Sequence, residues 1–141
     1  MGVDQDTAPV PLEESRQSNT VTNQMDPSIE PMSRVRAIDT EITHVWMVRT
    51  FLKHCDEAED DEDLRDIVRD LYDFILAVGP VDEVEDPAVY LKLAKKKVSK
   101  LRKATELYEA IQPEVSGHTN FVMAARSLRT AVDRIAHWIS S

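Results

Sequence analysis

The sequence predicts an all-α protein, a four-helix up-down antiparallel bundle preceded by a disordered N-terminal tail. Three observations carry this. Four stretches of 18 or more residues repeat apolar side chains at steps of three and four, the period of a helix that buries one face. The breaks between them fall at helix-stopping and helix-starting residues: Gly79-Pro80, Asp86-Pro87, and a loop from Gln112 to His118 that contains Pro113 and Gly117. No segment calls for a strand, and there is no internal repeat.

Residues 1–32 are rich in Pro, Ser, Thr, Asn and Gln and have few clustered apolar residues. Such a stretch buries too little surface to offset its ordering entropy, so disorder is expected. The first helix is predicted over about 33–58. Val35, Ile38, Ile42, Val45, Trp46, Val48 and Leu52 fill about half of its circumference, opposite Asp39, Thr43, Thr50 and His54. The second, over 61–78, has the cleanest pattern (Leu64, Ile67, Val68, Leu71, Phe74, Ile75, Val78), with Asp60 to Asp63 at the positive end of its macrodipole. The third opens at Asp86-Pro87, an N-cap followed by proline in the first turn, and is expected to stop before Pro113, over 87–111. Phe121, Ala124, Ala125, Leu128, Val132, Ile135 and Ile139 mark a fourth helix over 119–139. Residues 33–141 thus form one bundle domain with modest connections between antiparallel neighbours.

A chain of 141 residues, 42% hydrophobic, can fill one core without staples. Its single cysteine, Cys55, allows neither an internal disulfide nor a cysteine-based zinc site, and suits a reducing compartment. The N-terminus lacks the basic and apolar regions of a signal peptide, and no apolar run is long enough to span a bilayer. A cytoplasmic protein with no membrane partner is expected. The net charge of −9 disfavours nucleic acid as a general partner.

Charge is nonetheless segregated. Asp56 to Asp73 hold ten acids against Arg65 and Arg69, whereas Lys92 to Lys103 hold seven bases and no acid. The plainest expectation is that the acidic N-terminal part of helix two lies beside the basic part of helix three, or that the bases form a solvated face. Aromatic residues are absent from the basic stretch, which argues against stacking on single-stranded nucleic acid.

Helix one carries polar residues on its apolar side. Glu41 and Arg49 project into the arc, and His44 lies at its edge with Ala37, Phe51 and Cys55. A buried charge needs a partner, from another helix or another chain. Arginine suits an interface centre, which makes Trp46, Arg49 and Phe51 candidate interaction anchors. Glu41 and His44 also form a Glu-x-x-His pair, as found in di-metal carboxylate bundles, and such a site would have to be completed across a dimer. Asp133 and His137, one turn apart, project to the polar side of helix four. His118 is read as a solvated loop residue. Cys55, beside Asp56 and Glu57, is read as a packing residue with a poorly nucleophilic thiol.

Arg49-Thr50-Phe51-Leu52-Lys53-His54 fits an Arg-x4-His pattern and in this resembles the HEPN-type ribonucleases, themselves small helical bundles. The resemblance covers those two residues and implies phosphate contact by Arg49 and acid–base chemistry by His54 at a dimer cleft. On a straight helix His54 projects about 140° from Arg49, toward solvent. Glycine-rich phosphate loops and serine-nucleophile elbows are missing. The expected function is therefore a non-catalytic helical-bundle interaction module without a cofactor, which associates with itself or docks a helical partner. A metal site at Glu41 and His44, or a nuclease at Arg49 and His54, is the alternative.

Overall fold

A computed structural model describes residues 30–140, so the expectation of a disordered tail falls, for residues 1–29, outside the described residues. Four α-helices follow in order: α1 (Pro31–His54), α2 (Glu62–Val78), α3 (Pro87–Val115) and α4 (Thr119–Ser140). Short 3₁₀ turns lie at Asp56–Glu59 and Val81–Glu83, and there is no strand among the described residues. Each helix packs on its sequence neighbours and α4 returns to α1, which closes an up-down ring. Ile38, Leu52, Leu64, Ile67, Leu71, Leu101, Tyr108, Leu128 and Ile135 are fully buried at its centre. Each such side chain contributes about 1.5–3 kcal/mol of transfer free energy. No helix among the described residues is long and apolar enough to cross a membrane.

Capping follows the expected residues. The Asp61 side chain accepts from the Leu64 amide at 2.9 Å, and that of Asp86 accepts from Ala88 at 2.9 Å. Gly79 ends α2 with its amide donating to the Ile75 carbonyl at φ +74° and ψ 178°, a region open only to glycine. Two features were not anticipated. The Arg34 guanidinium donates to the carbonyls of Trp138 and Ile139 at 2.8–3.0 Å, which ties the start of α1 to the negative end of α4. The Tyr108 hydroxyl donates to the Phe121 carbonyl at 2.9 Å and joins the end of α3 to the start of α4.

Three boundaries differ from expectation. α1 begins at Pro31, since proline suits a first helical turn and Met32 packs on the core. It ends at His54 rather than near residue 58, because Cys55 turns extended (φ −77°, ψ 150°). The break keeps the acids from Asp56 onward off the negative end of α1 and sets them in the 3₁₀ turn and at the positive end of α2. α3, in contrast, runs through Pro113 to Val115. The proline sits in the last turn, where it forfeits a single backbone bond. Gln112 spans the end of the helix: its side-chain amide donates to the Ser116 carbonyl, and its own carbonyl accepts from the Ser116 amide. Ile111 and Val115 continue the core contact. Leu107, expected on the apolar face, is 38% exposed.

Two predictions follow from these termini and ties. Gly79→Ala meets no steric obstacle but must hold a strained backbone. It should lower the unfolding free energy by about 1–3 kcal/mol in urea titration; an unchanged midpoint would contradict the cap. Arg129 grips Glu109 with two bonds, at 2.7 and 2.9 Å, and this holds the Glu109 carboxyl below its ordinary value of 4.5. Because the folded value is depressed, the stabilisation is present above that ordinary value and lost as pH falls through the depressed one. Glu109→Gln should therefore flatten the acid limb of the stability–pH curve, and an identical acid limb would contradict the pairing.

Candidate functional site

Two helix faces meet along the edge between α1 and α2. Trp46, Arg49 and Lys53 are spaced i, i+3, i+7 on α1, and Arg65, Arg69 and Tyr72 are spaced i, i+4, i+7 on α2. The antiparallel packing of the two helices brings Trp46 beside Tyr72, their ring centroids 6.2 Å apart. The Arg49 guanidinium lies against both rings, its carbon 4.6 Å from the Trp46 centroid and 4.8 Å from that of Tyr72. Its Nε is buried with no acceptor among the described residues, and one terminal nitrogen makes only a long contact, 3.5 Å, to the Thr50 hydroxyl. The Arg49 side chain as a whole is half-buried.

It faces a cavity of about 720 Å³ lined by Arg49, Lys53, His54, Arg65, Arg69 and Tyr72, with Glu59 as the one lining acid. Arg65 donates to the carbonyls of Ala58 and Glu59 at 3.1 and 2.9 Å and so closes the 3₁₀ turn over one end. Arg69 pairs with Asp66. Cys55 borders the cavity and donates to the Leu52 carbonyl at 3.1 Å; burial, more than neighbouring Glu57, pushes its thiol up. On the other side of Trp46 a groove of about 320 Å³ is lined by Asp39, Ile42, Thr43, Trp46, Met47 and Ile75. Trp46, 40% exposed, and Met47, 64% exposed, give that groove an apolar rim. A cationic cavity and an apolar groove thus adjoin, with the Trp46 indole as their shared wall.

The fate of each expected site residue can now be stated. Arg49 and Trp46 stand together at the surface of this edge. Phe51 does not join them: its ring packs edge-on against Phe121 of α4, centroids 5.0 Å apart, inside the bundle. His54, the last residue of α1, is exposed, in keeping with its projection toward solvent, and lines the same cavity as Arg49. His118 is exposed in its loop, where its Nδ1 accepts from the Asn120 amide.

Glu41 is buried and faces Arg134 of α4 at 3.9 Å, a partner of opposite sign from another helix. His44 is exposed and shares with Glu41 a groove that also holds Arg126 and Arg134, two cations that oppose a divalent ion. Asp133 pairs with Arg129, and the His137 ring packs on Trp138. No group of three or more His, Cys, Asp or Glu able to hold a metal occurs among the described residues.

Tyr72, Lys53, Arg65 and Arg69 were not singled out from the sequence, although a signal existed. The two bases inside the acidic block stand one turn apart, with Tyr72 continuing their stripe. No protein-family model matches the chain, and no curated protein or solved structure matches it significantly.

A cation over two rings gains about 0.5–2 kcal/mol, while a buried donor without an acceptor costs about 1–3 kcal/mol. Arg49 is thus close to neutral for stability. Arg49→Met, which keeps the stem between the rings and removes the charge, should leave the unfolding free energy unchanged or raise it by up to about 1 kcal/mol. A loss of several kcal/mol in chemical denaturation would show that Arg49 is structural.

Proposed function

We propose that this chain is a small, non-catalytic helical-bundle interaction module whose α1–α2 edge docks one amphipathic helix of a partner protein. Apolar side chains of that helix would enter the groove beside Trp46 and Met47, and an acidic side chain one or two turns further on would meet Arg49. The observation that supports this most is the Arg49 guanidinium, held between two aromatic faces with its Nε lacking an acceptor. Its position is fixed before binding, so little ordering entropy is lost when a carboxylate arrives. Arginine and tryptophan are the residue types that dominate binding energy at interfaces. Phe51 supports the edge from behind rather than anchoring the partner. A single half-buried cysteine is in keeping with a reducing, cytoplasmic setting.

The test compares partners retained by the full chain with those retained by Trp46→Ala and Arg49→Glu, using quantitative mass spectrometry with crosslinks mapped to residues. Both variants should keep their helicity and lose at least tenfold in retention of one protein, crosslinked near Met47 through an acidic helix. Equal retention by all three chains would refute the docking edge.

One observation favours a second reading. Arg49 and His54 line the same cavity, as an Arg-x4-His ribonuclease requires of its phosphate contact and its acid–base group. Under that reading the wild-type chain cleaves single-stranded RNA and His54→Ala abolishes the cleavage; an inert wild type removes it.

A further inference from the structure

The acidic N-terminal part of α2 is expected beside the bases of α3, but the contact between the two segments falls further along α2. Lys100 lies 3.5 Å from both Asp70 and Asp73 and joins α3 to α2. The other six bases of the stretch (Lys92, Lys95, Lys96, Lys97, Arg102 and Lys103) are exposed, and none has a carboxylate within 4.0 Å among the described residues. Register explains this. Antiparallel packing that sets Lys100 against Asp70 and Asp73 carries Glu62 and Asp63 past Lys103, toward Glu109 and Ala110. The 3₁₀ turn at Asp56–Glu59 lies at the same end, held against the first turn of α2 by Arg65, which donates to the Ala58 and Glu59 carbonyls. Six exposed acids (Asp56, Glu57, Glu59, Asp60, Glu62 and Asp63) therefore collect at one corner of the bundle, with no ion pair to any base among the described residues. Six unpaired bases spread over about 16 Å of α3, at 1.5 Å per residue.

We propose that the exposed face of α3 is the docking surface for the acidic corner of a second copy of this chain, so that copies join head to tail. The two patches are opposite in sign and equal in number, and neither has an ion-pair partner among the described residues of its own chain. A finite acidic corner also fits a finite basic stripe better than a continuous polyanion does. A duplex laid along α3 would meet Glu85 and Asp86 at one end and Glu106 at the other, on a chain of net charge −9. Such a contact is heterologous, since the surface used on one copy differs from that used on the next, and it leaves a free patch at each end of the assembly. Exposed ion pairs are individually weak and are screened over about 10 Å at 0.1 M salt, so the association is reversible and salt-sensitive. The stripe on α3 lies on a different face from the α1–α2 edge, and the acidic corner borders that edge only at Glu59.

The experiment is sedimentation of the full chain at several concentrations, in about 20 mM and about 500 mM salt. The average mass should climb with concentration at low salt and return to that of the monomer at high salt. Two variants then locate the surfaces: Lys92→Gln/Lys96→Gln/Lys103→Gln removes half of the stripe, and Asp56→Asn/Glu57→Gln/Asp60→Asn thins the corner while keeping the Asp61 cap and the Glu59 wall of the α1–α2 cavity. Each alone should stay monomeric, and an equal mixture should form dimers and nothing larger, because it restores a single joint. Trp46→Ala should associate as the wild type does. A wild type that stays monomeric at low salt, or association that survives in the stripe variant, overturns the proposal. So does a monomeric wild type whose stripe binds duplex DNA, an outcome that would assign the surface to nucleic acid. The salt series on the wild type stands even where a variant misfolds.

Discussion

α1 has to bury one face against α2 and α4 together, although Glu41 and Arg49 stand on that face. The arrangement of the rest depends on how this conflict is met. Val35, Ile38, Val45 and Leu52 are fully buried, so the helix cannot roll to release either charge without exposing them. Glu41 is met by an opposite charge, Arg134, reaching over from α4. Arg49 is met by aromatic faces instead, with Trp46 from its own helix and Tyr72 from α2. The first solution closes the α1–α4 side. The second leaves the α1–α2 side open, with a guanidinium fixed in place and short of acceptors.

The ends of the bundle are tied by polar bonds that reinforce the same order. Arg34 closes the end of α4, Tyr108 links α3 to α4, and Arg129 grips Glu109 between the same two helices. None of these connections touches the α1–α2 edge, where the proposed binding face lies. The ring is most heavily laced where α4 is involved, and the site sits on the side away from that lacing. A rigid scaffold with one less constrained edge is a suitable way to present a preformed binding surface.

The sequence foretold the fold well because burial sets helix periodicity directly. The three-and-four spacing in α2 and α4, Asp86 as a cap, and Gly79 as terminator all stand in the structure. It failed where tertiary packing overrode a local rule. Pro113 stays helical because Ile111 and Val115 still reach the core. α1 stops at His54 because Cys55 turns extended, which the apolar spacing of the helix does not show. Phe51 was half visible: its position on the apolar side was legible, but not that Phe121 would take up its ring. The site was legible from α1 alone as Trp46 and Arg49. Its other half, on α2, was hidden by an acidic block in which Arg65 and Arg69 looked like mere counter-charges. Charge segregation was plain in the sequence, but only the register of α2 on α3 shows that Lys100 alone is matched.

The central claim is that Arg49 is held ready between two rings rather than moving freely in solvent. Nuclear magnetic resonance of the arginine Nε–H groups reports this directly. The account predicts one Nε–H resonance that exchanges slowly with water, shows a high order parameter, and is displaced by the ring currents of Trp46 and Tyr72, moving part of the way to the ordinary position in Tyr72→Ala. A fast-exchanging Arg49 signal with the low order of a surface side chain would contradict it.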